Sequence, residues 1–368
     1  MAWITLTDVP TMGDDTAPIV ARLLAPFDKG LAADQLLMSG SLYLEAEIGR
    51  SDDTEHTLFV LHRKADVTSH ISVQMCEDGT LVFARRLGEQ HQQVSLRPTA
   101  GRPQDGCMRF TISWDCAARI GVFSVEFSSC GTIHQKEFSD PLPWLHADIE
   151  ALNRRSAQVA FGPALRCLGL SDQQEPVAIM PSFAAGTPVL TPDGFKPVES
   201  LAPGDTVLTG DDLDPMTIGS VCTRDVPARG RFQPIRLNAP YLGLWQDVLV
   251  APEQRILITG AEVEFLFGQE AVLVQAYDLL HTGFAITAPV GSTFRYHQII
   301  LDQHAMLHVA GAQMESLFIG HLRDSPELLA TTVLKSIPPD VLPSHNKLAF
   351  PSLRDYEAIM LRAALLSR

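Results

Sequence analysis

The residues of this chain that could do acid–base or metal chemistry gather late in the sequence. Asp302, His304 and His308 share parity, so on a regular strand all three point to the same side. Arranged that way, Asp302 and His304 could act as an acid–base pair. With His308 they could form part of a metal site, although nothing supplies a fourth ligand. The competing reading is that Asp302-Gln303 makes a turn and His304 is a half-buried, hydrogen-bonded side chain. The six cysteines (Cys76, Cys107, Cys116, Cys130, Cys167 and Cys222) include no C-x-x-C pair, and the five in the first half cannot all pair there. Free thiols in a reducing compartment are expected, rather than a disulfide framework or a zinc site. Asp52-Asp53 and Glu77-Asp78 lack the acidic loop of a calcium site and read as solvated loop charge. No cofactor and no metal is expected.

The elements that must position these residues exceed one compact core, because 368 residues is a two-domain length. With 46% hydrophobic and 19% charged residues the composition is globular, which excludes disorder, collagen and coiled coil. The formal net charge is −15, from 28 basic and 43 acidic residues, and the two halves are about equally acidic. Neither half offers a basic footprint for phosphate backbones, so nucleic acid is not an expected partner. No stretch approaches the roughly 18 consecutive apolar residues of a membrane span. The opening MAWITLTDVPTMGDD lacks the three parts of a secretory signal, so the expected location is cytoplasmic, with unconventional export left open.

The first half reads as strands. Leu42, Leu44, Ala46 and Ile48 alternate with Tyr43, Glu45 and Glu47, giving one apolar and one wet face. Ile71, Val73 and Met75 repeat the pattern, and Asp78-Gly79 supplies a turn before Leu81-Val82-Phe83. Met108, Phe110, Ile112 and Trp114 predict another strand, and Phe123, Val125 and Phe127 the next. Short strands separated by turn signals predict a β-sandwich. One helix is expected from Pro143 to Leu152. Around Ser113-Trp114-Asp115 and in its strand order this half resembles laminin-G or concanavalin-like jelly rolls, a resemblance that implies a sandwich fold of a kind that often binds carbohydrate or calcium.

The segment SDQQEPVAIMP, from Ser171 to Pro181, is polar and then proline-bounded, as an exposed domain connection would be. Behind it, Val189-Leu190 is a short strand and Pro192-Asp193-Gly194 a tight turn. Val198 and Leu201 anchor a return segment, and Pro203-Gly204-Asp205 turns into the strand Thr206-Val207-Leu208-Thr209. The set Gly186-Thr187, Asp193-Gly194, Leu201, Gly204-Asp205 and Val207 resembles the opening block of the Hint fold, found in Hedgehog autoprocessing domains and inteins. The segment Asp247 to Leu257 resembles the second Hint block, and Val272-Leu273-Val274 with Ala276 a core strand of bacterial Hint proteins. Tyr296 to His304 resembles the late D-x-H block. Glu315-Ser316-Leu317 and Pro351-Ser352-Leu353 through Glu357 resemble the tail of the bacterial forms.

The resemblance implies an intramolecular substrate. In Hint proteins the first residue attacks the carbonyl of the peptide bond before it, so the nucleophile position falls on Ser182 and the carbonyl on Pro181. Such a reaction needs an activated nucleophile, donors aimed at the oxyanion, and a proton for the departing nitrogen. A histidine four positions into the second block supplies that proton in relatives; here the position holds Gln254, and Ala251 replaces the block's hydroxyl residue. An amide cannot deliver a proton near neutral pH. Loss of a positioned acid costs about 10²–10⁴ in rate, or roughly 3–5 kcal/mol of barrier. The resemblance places Asp302 and His304 as the remaining acid–base candidates beside Ser182. His345-Asn346 has the look of a splice terminus, but Lys347 follows and no apolar strand leads in, so splicing is not expected.

The expected fold is therefore mostly β: a jelly-roll-like N-terminal sandwich over residues 1–170 and a linker over 171–181, then an all-β, horseshoe-like Hint domain over 182–320. A helical C-terminal extension over 321–368 packs on that domain. Ser325-Pro326-Glu327 starts a helix, with a stripe of Leu328, Leu329, Thr332 and Val333. Leu353, Tyr356, Met360 and Ala363 make a second stripe in a final helix. Ala261 to Phe267 is expected as a strand or short apolar insertion. The expected function is a module that is autoprocessing by family but carries a degenerate catalytic set (Ser182, Gln254, Asp302, His304), inactive or at most slow in self-cleavage at Pro181–Ser182; the rival is a non-catalytic scaffold or binding protein. Carbohydrate binding through the sandwich is a third option.

Overall fold

The computed structural model describes residues 3–8, 21–23, 32, 34–48, 56–98, 106–127, 132–154, 156–178 and 180–366. Cys130 and Asp52-Asp53 lie outside the described residues. The chain divides into two compact units, Met1–Ala178 and Ile179–Arg368.

The first unit is a sandwich of two antiparallel sheets. Seven strands form one sheet in the spatial order Thr132–Ser139, Ile120–Phe127, Gly106–Asp115, Ser39–Ile48, Leu165–Ser171, Trp3–Asp8, Ala21–Leu23. Five form the other, in the order Val159–Phe161, His56–Arg63, Ser69–Met75, Leu81–Leu87, Gln90–Leu96. The alternation in the sequence becomes the core, because every second residue of a strand faces the opposite sheet. Leu42, Leu44 and Ala46 lie opposite Ile112, Phe110 and Met108 on the neighbouring strand, all buried. From the facing sheet come Phe59, Leu61, Ile71 and Val73. The rings of Phe83 and Phe123, one from each sheet, are 6.3 Å apart. Gly40 has no room for a side chain: a Cβ there would lie 2.7 Å from the Trp114 ring.

The helix of this unit runs His146–Arg154 rather than from Pro143. Trp144 and Leu145 are held extended by pairing with Leu37 and Leu36, and the Pro143 carbonyl accepts from Arg85 Nη2 at 2.8 Å. Helical dihedrals cannot begin until those bonds are passed. The fully buried Asp148 in the first turn accepts from Arg63 Nε (2.9 Å), Ser69 Oγ (2.6 Å) and Arg85 Nη2 (3.2 Å). Burial lowers the Arg85 pKa to about 10 against the opposing pull of Asp148, so the guanidinium stays charged at neutral pH.

In the second unit, thirteen strands among the described residues make one sheet. Its spine is the pair Asp214–Pro227 and Thr293–Leu301. On one side follow Thr206–Thr209, Met306–Val309, Ala312–Glu315, Arg255–Thr259 and Ala271–Gln275; on the other, Phe183–Ala184, Val248–Val250, Ile235–Leu237 and Ala285–Thr287. Val207, Val309 and Ile256 from the first wing share one buried cluster with Phe183, Val250 and Leu237 from the second. A sheet whose two wings bury the same core must curl back on itself. This is the all-β horseshoe, and helices follow it at Pro326–Leu329 and Asp355–Leu366.

Two sequence expectations fail here. Ala261–Phe267, expected as a strand or a short apolar insertion, is not a strand but a short helix, bounded by Gly260 and by Gly268 in the left-handed region (φ 64°), whose N–H bonds to the Glu264 carbonyl at 2.9 Å. The final helix buries Ala358 and Leu361, not Tyr356 and Met360, which are exposed. Immediately before this helix the Leu353 N–H donates to the Leu273 carbonyl at 3.0 Å and the Leu273 N–H to the Pro351 carbonyl at 2.8 Å, and that attachment sets which side turns inward. Among the described residues no helix is long and apolar enough to cross a membrane.

Candidate functional site

Ser182 enters the second unit at the head of the short strand Phe183–Ala184, which is squeezed between two others. Phe183 pairs with Val250 on one side and His297 on the other. The Ser182 carbonyl accepts from the Ala251 N–H at 2.9 Å, which locks the entry residue to the second block. Beyond it the chain must turn sharply, and Gly186 does so at φ 81°. The Gly186 N–H donates to the Glu199 carboxylate at 2.7 Å, and this bond holds Glu199 below the usual carboxylate range. Gly204, at φ 93°, makes the second turn; its N–H and the Asp205 carbonyl both pair with Ile218 at 2.8 Å.

The Ser182 side chain is buried, 2% exposed. Its hydroxyl donates to the Met180 carbonyl at 2.6 Å and accepts from Gln298 Nε2 at 3.0 Å. Neither neighbour is a base that could take its proton. Gln298 itself is 2% exposed, and its Oε1 has no hydrogen-bond partner among the described residues.

Gln254, Asp302 and His304 are not among the hydrogen-bond partners of Ser182. Gln254 is fully buried in the turn after Ala251, where its N–H bonds back to the Ala251 carbonyl at 3.0 Å. Its side-chain amide donates to the carbonyls of Glu315 (3.0 Å) and Arg255 (3.3 Å), and its Oε1 is unpartnered among the described residues. His304 is buried; its Nδ1 accepts from the Ala349 N–H at 2.9 Å, so the proton sits on Nε2, 3.1 Å from Glu315 Oε2. Glu315, with no exposure, also takes Arg255 Nη1 at 2.9 Å and the Arg255 N–H at 3.2 Å. Gln254 and His304 are therefore joined through Glu315.

Parity fails for the late histidines. The strand Thr293–Leu301 ends before Asp302, and the next one, Met306–Val309, starts after His304. Asp302 is exposed in the bend between them. His308 Nε2 lies 2.7 Å from the Gly210 carbonyl. Among the described residues no group of three or more His, Cys, Asp or Glu side chains could hold a metal ion.

Two polar residues of this region escaped the sequence reading. Gln298 was legible only as part of the late block; the signal was its place opposite the entry residue once Phe183 pairs with His297. Glu315 lay in the tail motif, and no spacing rule ties it to Arg255 and His304. His297 lies beside Gln298 and points to the other side of the strand. It is nearly buried, with Nε2 unpartnered among the described residues, and burial lowers its pKa against the pull of Glu199.

An all-β horseshoe entered at a serine whose carbonyl is paired to the second block defines a Hint-type fold. The family comparison agrees: residues 181–321 match the model of the Hint domain, so the second unit carries a domain of that kind. Among solved structures, a bacterial intein-like domain from Clostridium thermocellum is similar over 38% of this chain and 100% of its own, at 14% identity and a TM-score of 0.29. The CBM40 of the Ruminococcus gnavus IT-sialidase is similar over 37% of this chain and 77% of its own, at 14% identity and 0.28. The LG1-3 region of the laminin α2 chain is similar over 86% of this chain and 56% of its own, at 8% identity and 0.27. No curated protein matches significantly.

Proposed function

We propose that the second unit is an autoprocessing-type Hint module with a depleted catalytic set, whose remaining chemistry is a slow N-to-O acyl shift at Pro181–Ser182. The observation that carries this reading is the placement of Ser182: buried, at the module's entry, and joined through its carbonyl to Ala251. In the shift, Ser182 Oγ bonds to the Pro181 carbonyl carbon, the C–N bond breaks, and the hydroxyl proton passes to the Ser182 nitrogen. The product is an ester. Among the described residues no side chain within hydrogen-bond distance of the Ser182 hydroxyl can move that proton, which is why the reaction is slow.

One observation favours the rival reading, a non-catalytic scaffold. The amide of Gln254 donates to two backbone carbonyls, so it braces the sheet instead of polarising the Pro181 carbonyl. Intact-mass spectrometry separates the two. Incubation with hydroxylamine should release residues 1–181 as the hydroxamate and residues 182–368, and Ser182→Ala should abolish both products. A full-length mass unchanged over days, identical to that of Ser182→Ala, would leave only the scaffold.

A further inference from the structure

We infer that Gln298 restrains Ser182: its amide N–H occupies a lone pair of the hydroxyl oxygen and holds the proton against the Met180 carbonyl. The inference rests on the Hint reading of the entry site and names the residue that governs it. Three observations lead to it. Gln298 is the side chain that donates to Ser182 Oγ, at 3.0 Å. The hydroxyl's own proton is engaged at 2.6 Å by the carbonyl two residues back, which cannot take it up. Gln298 Oε1 is buried with no partner among the described residues, so the amide keeps its donor on Ser182 while its acceptor goes unsatisfied.

A hydrogen bond into the attacking lone pair is strongest in the ground state. As the Oγ–C bond forms, electron density leaves that oxygen and the bond from Gln298 weakens, so the contact stabilises the resting state more than the transition state. This acts in addition to the missing proton donor at Gln254. The backbone sets the geometry: Phe183 pairs with His297, which brings Gln298 beside Ser182 on adjacent strands, and side chains of such neighbours lie on one face.

Two measurements test the restraint. The first reads the contact without any cleavage. In Ser182→Cys the amide should stabilise the thiolate, and adding Gln298→Met, of similar length but without a donor, should raise the pKa of that thiol by about one unit. An unchanged thiol titration in folded protein would overturn the inference. The second reads the rate, with the serine kept. In a Gln254→His background, Gln298→Met should speed hydroxylamine cleavage by about 3- to 10-fold, the worth of one hydrogen bond. Gln298→Glu should add a rise of rate with pH as its carboxylate ionises, which a merely structural residue would not produce. Cleavage in Gln254→His that neither variant accelerates would overturn the restraint. No cleavage in Gln254→His would instead count against the acyl-shift reading, and the thiol titration would then decide the inference alone.

Discussion

At the scale of single residues, the second unit depends on buried polar groups that satisfy one another. Glu315 is the densest case, with no exposure and bonds to Arg255 and His304. Removing one partner of such a group leaves the others desolvated, which costs more than the pair gained by forming. Glu315→Ala should therefore destabilise the second unit by about 3–5 kcal/mol, read as a shift in denaturant midpoint. Gln254 offers the reverse experiment. Its Oε1 is already buried without a partner among the described residues, while its Nε2 bonds two carbonyls. Gln254→His can keep a donor towards the Glu315 carbonyl, so it should cost under about 2 kcal/mol, again measured by chemical denaturation.

At the scale of elements, the strap that leads to the last helix is fastened by two histidines. His304 Nδ1 accepts from Ala349, and His345 Nδ1 accepts from the Ile319 N–H at 3.1 Å while its Nε2 bonds the Leu301 carbonyl at 3.0 Å. Only the neutral ring can accept through Nδ1. Burial lowers the His345 pKa, helped by any charge on His304 and opposed by the Leu301 bond and Asp302. A depressed folded value means that the unfolded state binds protons more readily. The contribution of His345 is thus complete above its ordinary value near 6.5 and is lost as pH falls through the lower folded value. Amide protection across residues 344–353, taken relative to the intrinsic exchange rate at each pH, should fall on going from pH 7.5 to 5. His345→Gln, which can accept and donate without titrating, should flatten that dependence; equal pH responses in both proteins would refute the assignment.

For the whole molecule, each unit carries its own buried cluster. Phe110, Phe123, Ile71 and Val73 belong to the first, and Val207, Val250, Ile256 and Leu301 to the second. A unit with its own core folds without the other. Residues 1–178 and 179–368, expressed separately, should each unfold in one cooperative transition, measured by circular dichroism in urea. A fragment without such a transition would show that its core is incomplete.

The amino-acid order by itself determined the local grammar of this protein. Alternating apolar residues such as Leu42, Leu44 and Ala46 could serve only as a half-buried strand. The turns at Gly186 and Gly204 needed residues free to take a positive φ, and that local demand made the Hint block legible in the chain's own residues. Parity reasoning failed at Asp302 and His304 because it assumes an unbroken strand, and the chain bends there. The helix Ala261–Phe267 was ambiguous because seven apolar-rich residues fit either period. Tertiary pairing alone decided that Gln298 would face Ser182 and that Glu315 would join Arg255 to His304. Those contacts depend on the register between strands far apart in the chain, which no short-range pattern encodes.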